Sequence, residues 1–237
     1  MIIPGWIKVC GLRDTTSAAV AATAGASAIG LNFFAKSPRS VAPDQAAVIA
    51  SMRLIQPIGL FVNHSLDEIE AIARQVGLTA LQLHGDETPR MLHTIHERHP
   101  DWSLLKAFRV ADSLRPVEEF LTECRRLSVP LAGCLLDARL EGTFGGTGQV
   151  APWELIAREY DRANWPPLIL AGGLTCENVA AAIRAVRPDG VDTASGVESS
   201  PGVKDTRLIA RFVAEAKQAF AELNREKVVG TFHVPSA

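Results

Sequence analysis

The chain has 237 residues, 47% of them hydrophobic and 21% charged, enough to bury the core of one α/β domain. A formal net charge of -2 offers no surplus of Lys and Arg, so neither nucleic acid nor an anionic membrane is an expected partner. Four widely separated cysteines without a CxxC pair (Cys10, Cys124, Cys134 and Cys176) argue against zinc and against a disulfide framework.

The opening stretch MIIPGWIKVCGLRD becomes charged by Lys8, unlike a secretory leader, and no apolar run nears the ~20 residues that cross a bilayer. A cytoplasmic location is the expectation. Apolar strand-like runs then alternate with amphipathic stretches: strand 6–10 and helix 15–24, strand 28–32 and helix 43–52, strand 58–62 and helix 65–76, strand 80–83 and helix 89–98. The alternation continues with strand 104–108 and helix 113–127, strand 132–137 and helix 152–160, strand 168–171 and helix 176–186, and strand 190–193 and helix 206–224. Several strands are apolar throughout, as in a parallel sheet covered on both faces. Asp14 precedes the first helix, Ser65 and Glu68 have capping-box spacing, and Pro43, Pro89 and Pro152 fall near first-turn positions.

Eight strand–helix pairs predict a single (βα)8 TIM barrel of the α/β class over residues 1–224, followed by a C-terminal tail at 225–237 where the helical period is lost. The alternative is a doubly wound open sheet. Against it, Gly145, Gly146 and Gly148 follow the sixth strand, not the first, and do not spell the dinucleotide fingerprint GxGxxG.

Barrel chemistry gathers at the carboxyl ends of the strands. Cys10 closes the first strand, where it is either a reactive thiol or a buried apolar one; the other three cysteines read as buried. Asp137 ends the sixth strand, either as a catalytic carboxyl or as a cap or partner to Arg139, and the Gly145, Gly146 and Gly148 loop after it reads as a cover. Asp192 reads as a structural hydrogen-bonding group. Lys36 and Arg39 flank a proline turn after the second strand, and the planar fork of Arg39 makes it the better carboxylate ligand of the two. Gln82 and His84 alternate with leucines, share a face and are candidate substrate-binding residues, although a lone histidine there is often only hydrogen-bonded within the core. Gly172 and Gly173, then Ser195 and Gly196, follow the last two strands, where barrels bind phosphate.

Taken together, IKVCGL, GLNFFAKSPRSV, LQLHGDE, LLDA, FGGTGQ, LAGGLTCENV and GVDTASGVESSPGVKD resemble the phosphoribosylanthranilate isomerase family, over nearly the whole barrel from Lys8 to Asp205. The resemblance implies a general base at Cys10, a general acid at Asp137, an anthranilate carboxylate bound by Arg39, and phosphate held by backbone around Gly172, Gly173, Ser195 and Gly196. It also implies an Amadori rearrangement that needs no cofactor and no metal, on a small-molecule phosphosugar, by a monomer or homodimer of the tryptophan pathway. The scheme calls for a neutral, partly desolvated Asp137 and a Cys10 thiolate favoured by nearby Lys8 or by backbone dipoles. Two departures stand out: Ala151-Pro152-Trp153 replaces an FDW-like sequence, and Ala194 replaces a second serine. The rival readings are a phosphosugar isomerase of the histidine pathway, which resembles this scheme with aspartate in place of the thiol, a non-catalytic phosphosugar-binding barrel, and an enzyme forming a covalent thiol adduct.

Overall fold

The computed structural model describes residues 2–137 and 152–230. Eight parallel strands form a closed barrel in chain order: β1 (Trp6–Cys10), β2 (Ala28–Asn32), β3 (Gln56–Phe61), β4 (Ala80–Leu83), β5 (Ser103–Arg109), β6 (Leu131–Asp137), β7 (Leu168–Ala171) and β8 (Gly190–Thr193). The helices alternate with them: α1 (Thr15–Ala24), α2 (Pro43–Ser51), α3 (Leu66–Val76), α4 (Pro89–Arg98), α5 (Arg115–Arg126), α6 (Trp153–Glu159), α7 (Val179–Val186) and α8 (Thr206–Gly230). The ring closes where β1 pairs with β8, with Trp6 opposite Gly190 and Lys8 opposite Asp192.

Local signals set the helix starts. The Asp14 carboxylate accepts the Ser17 amide at 2.7 Å, and Ser65 and Glu68 satisfy one another's backbone donors in a complete capping box. Prolines occupy the first turns of α2 and α4. Pro152 instead stands just before α6, at its N-cap.

Other boundaries shift for identifiable reasons. Helix α7 begins at Val179 rather than at 176, because the Asn178 side chain accepts the Thr175 amide at 2.8 Å and donates to the Gly173 carbonyl at 3.0 Å, which shapes that stretch as a turn. Helix α8 continues to Gly230, past the Asn224 at which the helical pattern was expected to end. Between β8 and α8 lies an addition to the eightfold pattern: a 3₁₀ turn (Ser195–Val197) and a hairpin of β9 (Glu198–Ser200) and β10 (Val203–Lys204).

The packing has two apolar compartments. A large one lies between sheet and helices, with Val9, Leu31, Leu83 and Leu136 meeting Ile69, Leu92, Ile183 and Phe212. A smaller one plugs the barrel axis at the strand starts, built from Trp6, Ala28, Ile58, Ala80, Leu105 and Ile169. Full burial of each large side chain contributes about 1.5–3 kcal/mol, so both compartments hold the ring closed.

Candidate active site

Alternation along a strand puts every second residue on the barrel axis. On β1 the axial series runs from Trp6 in the plug through Lys8 to Cys10 at the upper end. Lys8 is completely buried and donates to Asp192 Oδ1 at 3.0 Å. Burial alone would push its ammonium to lose a proton, but the charge and hydrogen bond of the Asp192 carboxylate, joined by Cys10 in its anionic form, outweigh that and raise its pKa. Lys8 therefore stays charged, and Asp192 has the structural role expected of it while also lining the cavity above.

Cys10 is 5% exposed and lies in register with Gly30, whose missing side chain makes room for it: a Cβ there would stand 2.6 Å from Cys10 Sγ. Burial pushes the thiol pKa up, and the opposing charge of Lys8 does not cancel the rise. Cys124, Cys134 and Cys176 are buried as anticipated, and burial raises the pKa of each.

Cys10, Arg39, His84, Asp137, Gly172, Gly173 and Ser195 all line one cavity of about 390 Å³ at the upper end of the barrel. Asp137 ends β6, in register with Arg109 on one side and Ala171 on the other, and its carbonyl accepts the Val110 amide at 3.0 Å. Gly172 and Gly173 have φ of 91° and 65°, conformations glycine adopts without strain, and their amides donate to no acceptor among the described residues. Ser195 opens the 3₁₀ turn, whose first amides have no partner within it. Gly196 lies behind this rim, where a side chain would strike the Leu174 carbonyl.

Gln82, a candidate substrate-binding residue, does not line the cavity and is corrected to a supporting role. It is fully buried beneath, with Nε2 2.8 Å from His84 Nδ1, so the two share a face as expected. Burial, helped by the charges of Lys8, Lys106 and Arg109, lowers the His84 pKa to about 4, which leaves the ring neutral at neutral pH.

Arg39 is less available than its loop position suggested. Its Nε and Nη2 donate to Glu198 Oε1 and Oε2 at 2.7 and 2.8 Å, while Lys36 does not line the cavity. Burial would lift the Glu198 carboxyl, but Arg39 and Lys204 hold it below the usual carboxylate range. Glu198 and Lys204 were not singled out from the sequence, because ESSPGVK shows neither strand period nor apolar run. Arg109, which also lines the cavity, ends β5 one residue beyond the expected 104–108, and that carboxyl-end extension is what brings it under the strand-end rule. Gly145, Gly146, Gly148 and Arg139 lie outside the described residues.

The family model described as N-(5'phosphoribosyl)anthranilate (PRA) isomerase matches residues 7–215. An N-(5'-phosphoribosyl)anthranilate isomerase of Trichlorobacter lovleyi is 40% identical over 217 residues, covering 90% of this chain and 98% of the relative. The crystal structure of phosphoribosyl anthranilate isomerase from Thermotoga maritima superposes with a TM-score of 0.77 at 35% identity, covering 90% of this chain and 98% of that one. A phosphoribosyl anthranilate isomerase solved with reduced 1-(o-carboxyphenylamino)-1-deoxyribulose 5-phosphate gives a TM-score of 0.74 at 34% identity, with the same coverage. The chain belongs to the N-(5'-phosphoribosyl)anthranilate isomerase family.

Proposed function

We propose that the chain isomerises N-(5-phosphoribosyl)anthranilate to 1-(2-carboxyphenylamino)-1-deoxyribulose 5-phosphate in tryptophan biosynthesis, in the cytoplasm, as a monomer or homodimer. One observation carries the assignment of roles: a thiol from β1 and a carboxyl from β6 line the same 390 Å³ cavity as the glycine turn after β7 and the 3₁₀ turn after β8.

In this reading Asp137 gives its proton to the furanose ring oxygen. The C1–O bond breaks, and the anthranilate nitrogen becomes a Schiff base at C1. Cys10, as thiolate, takes the proton from C2; the C–H electrons form the C1=C2 bond of an enolamine. Return of a proton to C1 and loss of the enol proton leave the ketone. The substrate keeps its composition, so no electrons enter or leave.

Burial raises the Cys10 pKa and the buried Lys8 cation beside it opposes that rise, so Lys8 favours the anionic base. Backbone amides at Gly172, Gly173, Ser195 and Gly196 would hold the phosphate, and Arg39 the anthranilate carboxylate. Binding at these two remote ends orients the sugar between acid and base.

The test is turnover of freshly generated substrate, followed as loss of its fluorescence, for wild type, Cys10→Ala and Asp137→Asn. General acid–base assistance is worth about 10²–10⁴-fold per group, and each variant should lose that much while keeping its circular dichroism. An inactive wild type refutes the activity; a variant that retains full rate refutes that residue's role.

A further inference from the structure

The hairpin of β9 and β10 has no counterpart in the strand–helix alternation, yet it ties together two parts of the cavity wall. Glu198 grips the Arg39 guanidinium through both carboxylate oxygens, at 2.7 and 2.8 Å. Lys204 donates to Glu198 Oε1 at 2.9 Å and to the Ala194 carbonyl, directly before Ser195, at 2.7 Å. At the hairpin tip Gly202 has φ of 82°, and a side chain there would strike the Pro38 carbonyl, one residue before Arg39. The Glu198 and Lys204 side chains are 4% and 1% exposed, against 24% for Arg39, and only Arg39 of the three lines the cavity.

We infer that Glu198 and Lys204 are positioning residues that join the carboxylate-binding guanidinium to the phosphate-binding turn and so set the distance between the substrate's two anionic ends. This rests on the functional reading above. A free arginine side chain loses up to about 2 kcal/mol of rotamer entropy when a ligand fixes it. Here the bidentate pair fixes it beforehand, and the guanidinium keeps N–H donors on its other edge. One carboxylate between two cations also leaves a net positive charge beside an anionic ligand. Through Lys204, a displacement of the turn at Ala194 is carried to Arg39.

The experiment compares kcat and KM for wild type, Glu198→Gln, Lys204→Met and Lys204→Arg, and repeats Glu198→Gln in an Arg39→Ala background, with melting temperatures measured alongside. Losing a charge-assisted hydrogen bond should lower kcat/KM roughly tenfold to hundredfold in Glu198→Gln and Lys204→Met, mainly through KM. Lys204→Arg should recover most of the loss, and Glu198→Gln should cost less than about twofold once Arg39 is gone. An equal loss with and without Arg39, or a lower melting temperature with kcat and KM unchanged, overturns the inference alone. A wild type that fails to turn over overturns the functional reading and this inference with it.

Discussion

The two ends of the barrel axis are made from the same strands and follow opposite rules. At the strand starts Trp6, Ala28, Ile58 and Ala80 form an apolar plug. Two residues farther along β1 and β4 stand Lys8 and Gln82, and two farther again Cys10 and His84. Period-two alternation puts all of these on one face, so patterning alone does not separate packing from chemistry. Strand direction does. In a parallel barrel every strand ends on the same rim, which gathers reactive groups at one end and leaves the other free to be filled.

The comparison breaks most sharply if each end is altered alone. Trp6→Ala should cost about 3–5 kcal/mol of stability through lost burial and a cavity, with kcat of the surviving folded enzyme unchanged. Urea unfolding together with steady-state kinetics reads both quantities, and a fall in kcat would show that the plug also tunes the site. Lys8→Met tests the layer between. Removing one partner of a buried pair costs about 3–5 kcal/mol because Asp192 is left uncompensated, and here activity should fall as well. The double variant with Asp192→Asn should regain stability but not rate.

A smaller and more local effect is expected of Gly30→Ala. Its methyl group would crowd Cys10 Sγ, and misplacing a reacting group by about 1 Å can cost around 10²-fold in rate. Loss of kcat with little change in KM supports the placement of the thiol as base; an unchanged kcat contradicts it.

Smallest near neutrality is the effect of His84. Its pKa is lowered from 6.5 to about 4 in the native state, chiefly by burial, so below pH 6.5 the unfolded chain takes up a proton that the native ring refuses. Stability should therefore be level above 6.5 on this account and decline as pH falls toward 4. His84→Gln should flatten that decline; an unaltered pH profile of the urea midpoint would show that His84 is not its source.

These outcomes also mark how far the sequence was legible. The bounds of β1, β2, β4, β7 and β8 could be read directly because their apolar runs stop at glycine, polar or charged residues, and the parallel sheet demanded those runs. Cys10 and Asp137 stood out as reactive side chain types at strand ends. What stayed hidden depends on the third dimension. Glu198 and Lys204 lie in a segment that reads as loop, and the partner Glu198 grips, Arg39, is far away in the chain. The depth of Cys10 is likewise not written in the sequence, and it is burial that raises the thiol pKa against the opposing charge of Lys8.

The pairing of Lys8 with Asp192 has a consequence for how the protein is made. The two are 184 residues apart, on the first and last strands of the ring. While a ribosome is still adding the middle of the chain, Lys8 has no counter-ion and its charge belongs in water. The barrel can enclose that lysine only after residue 192 has left the exit tunnel. Closure of the ring and completion of the site are then one event that needs both the first and the last strand, and a nascent chain stalled before the last strand emerges carries neither.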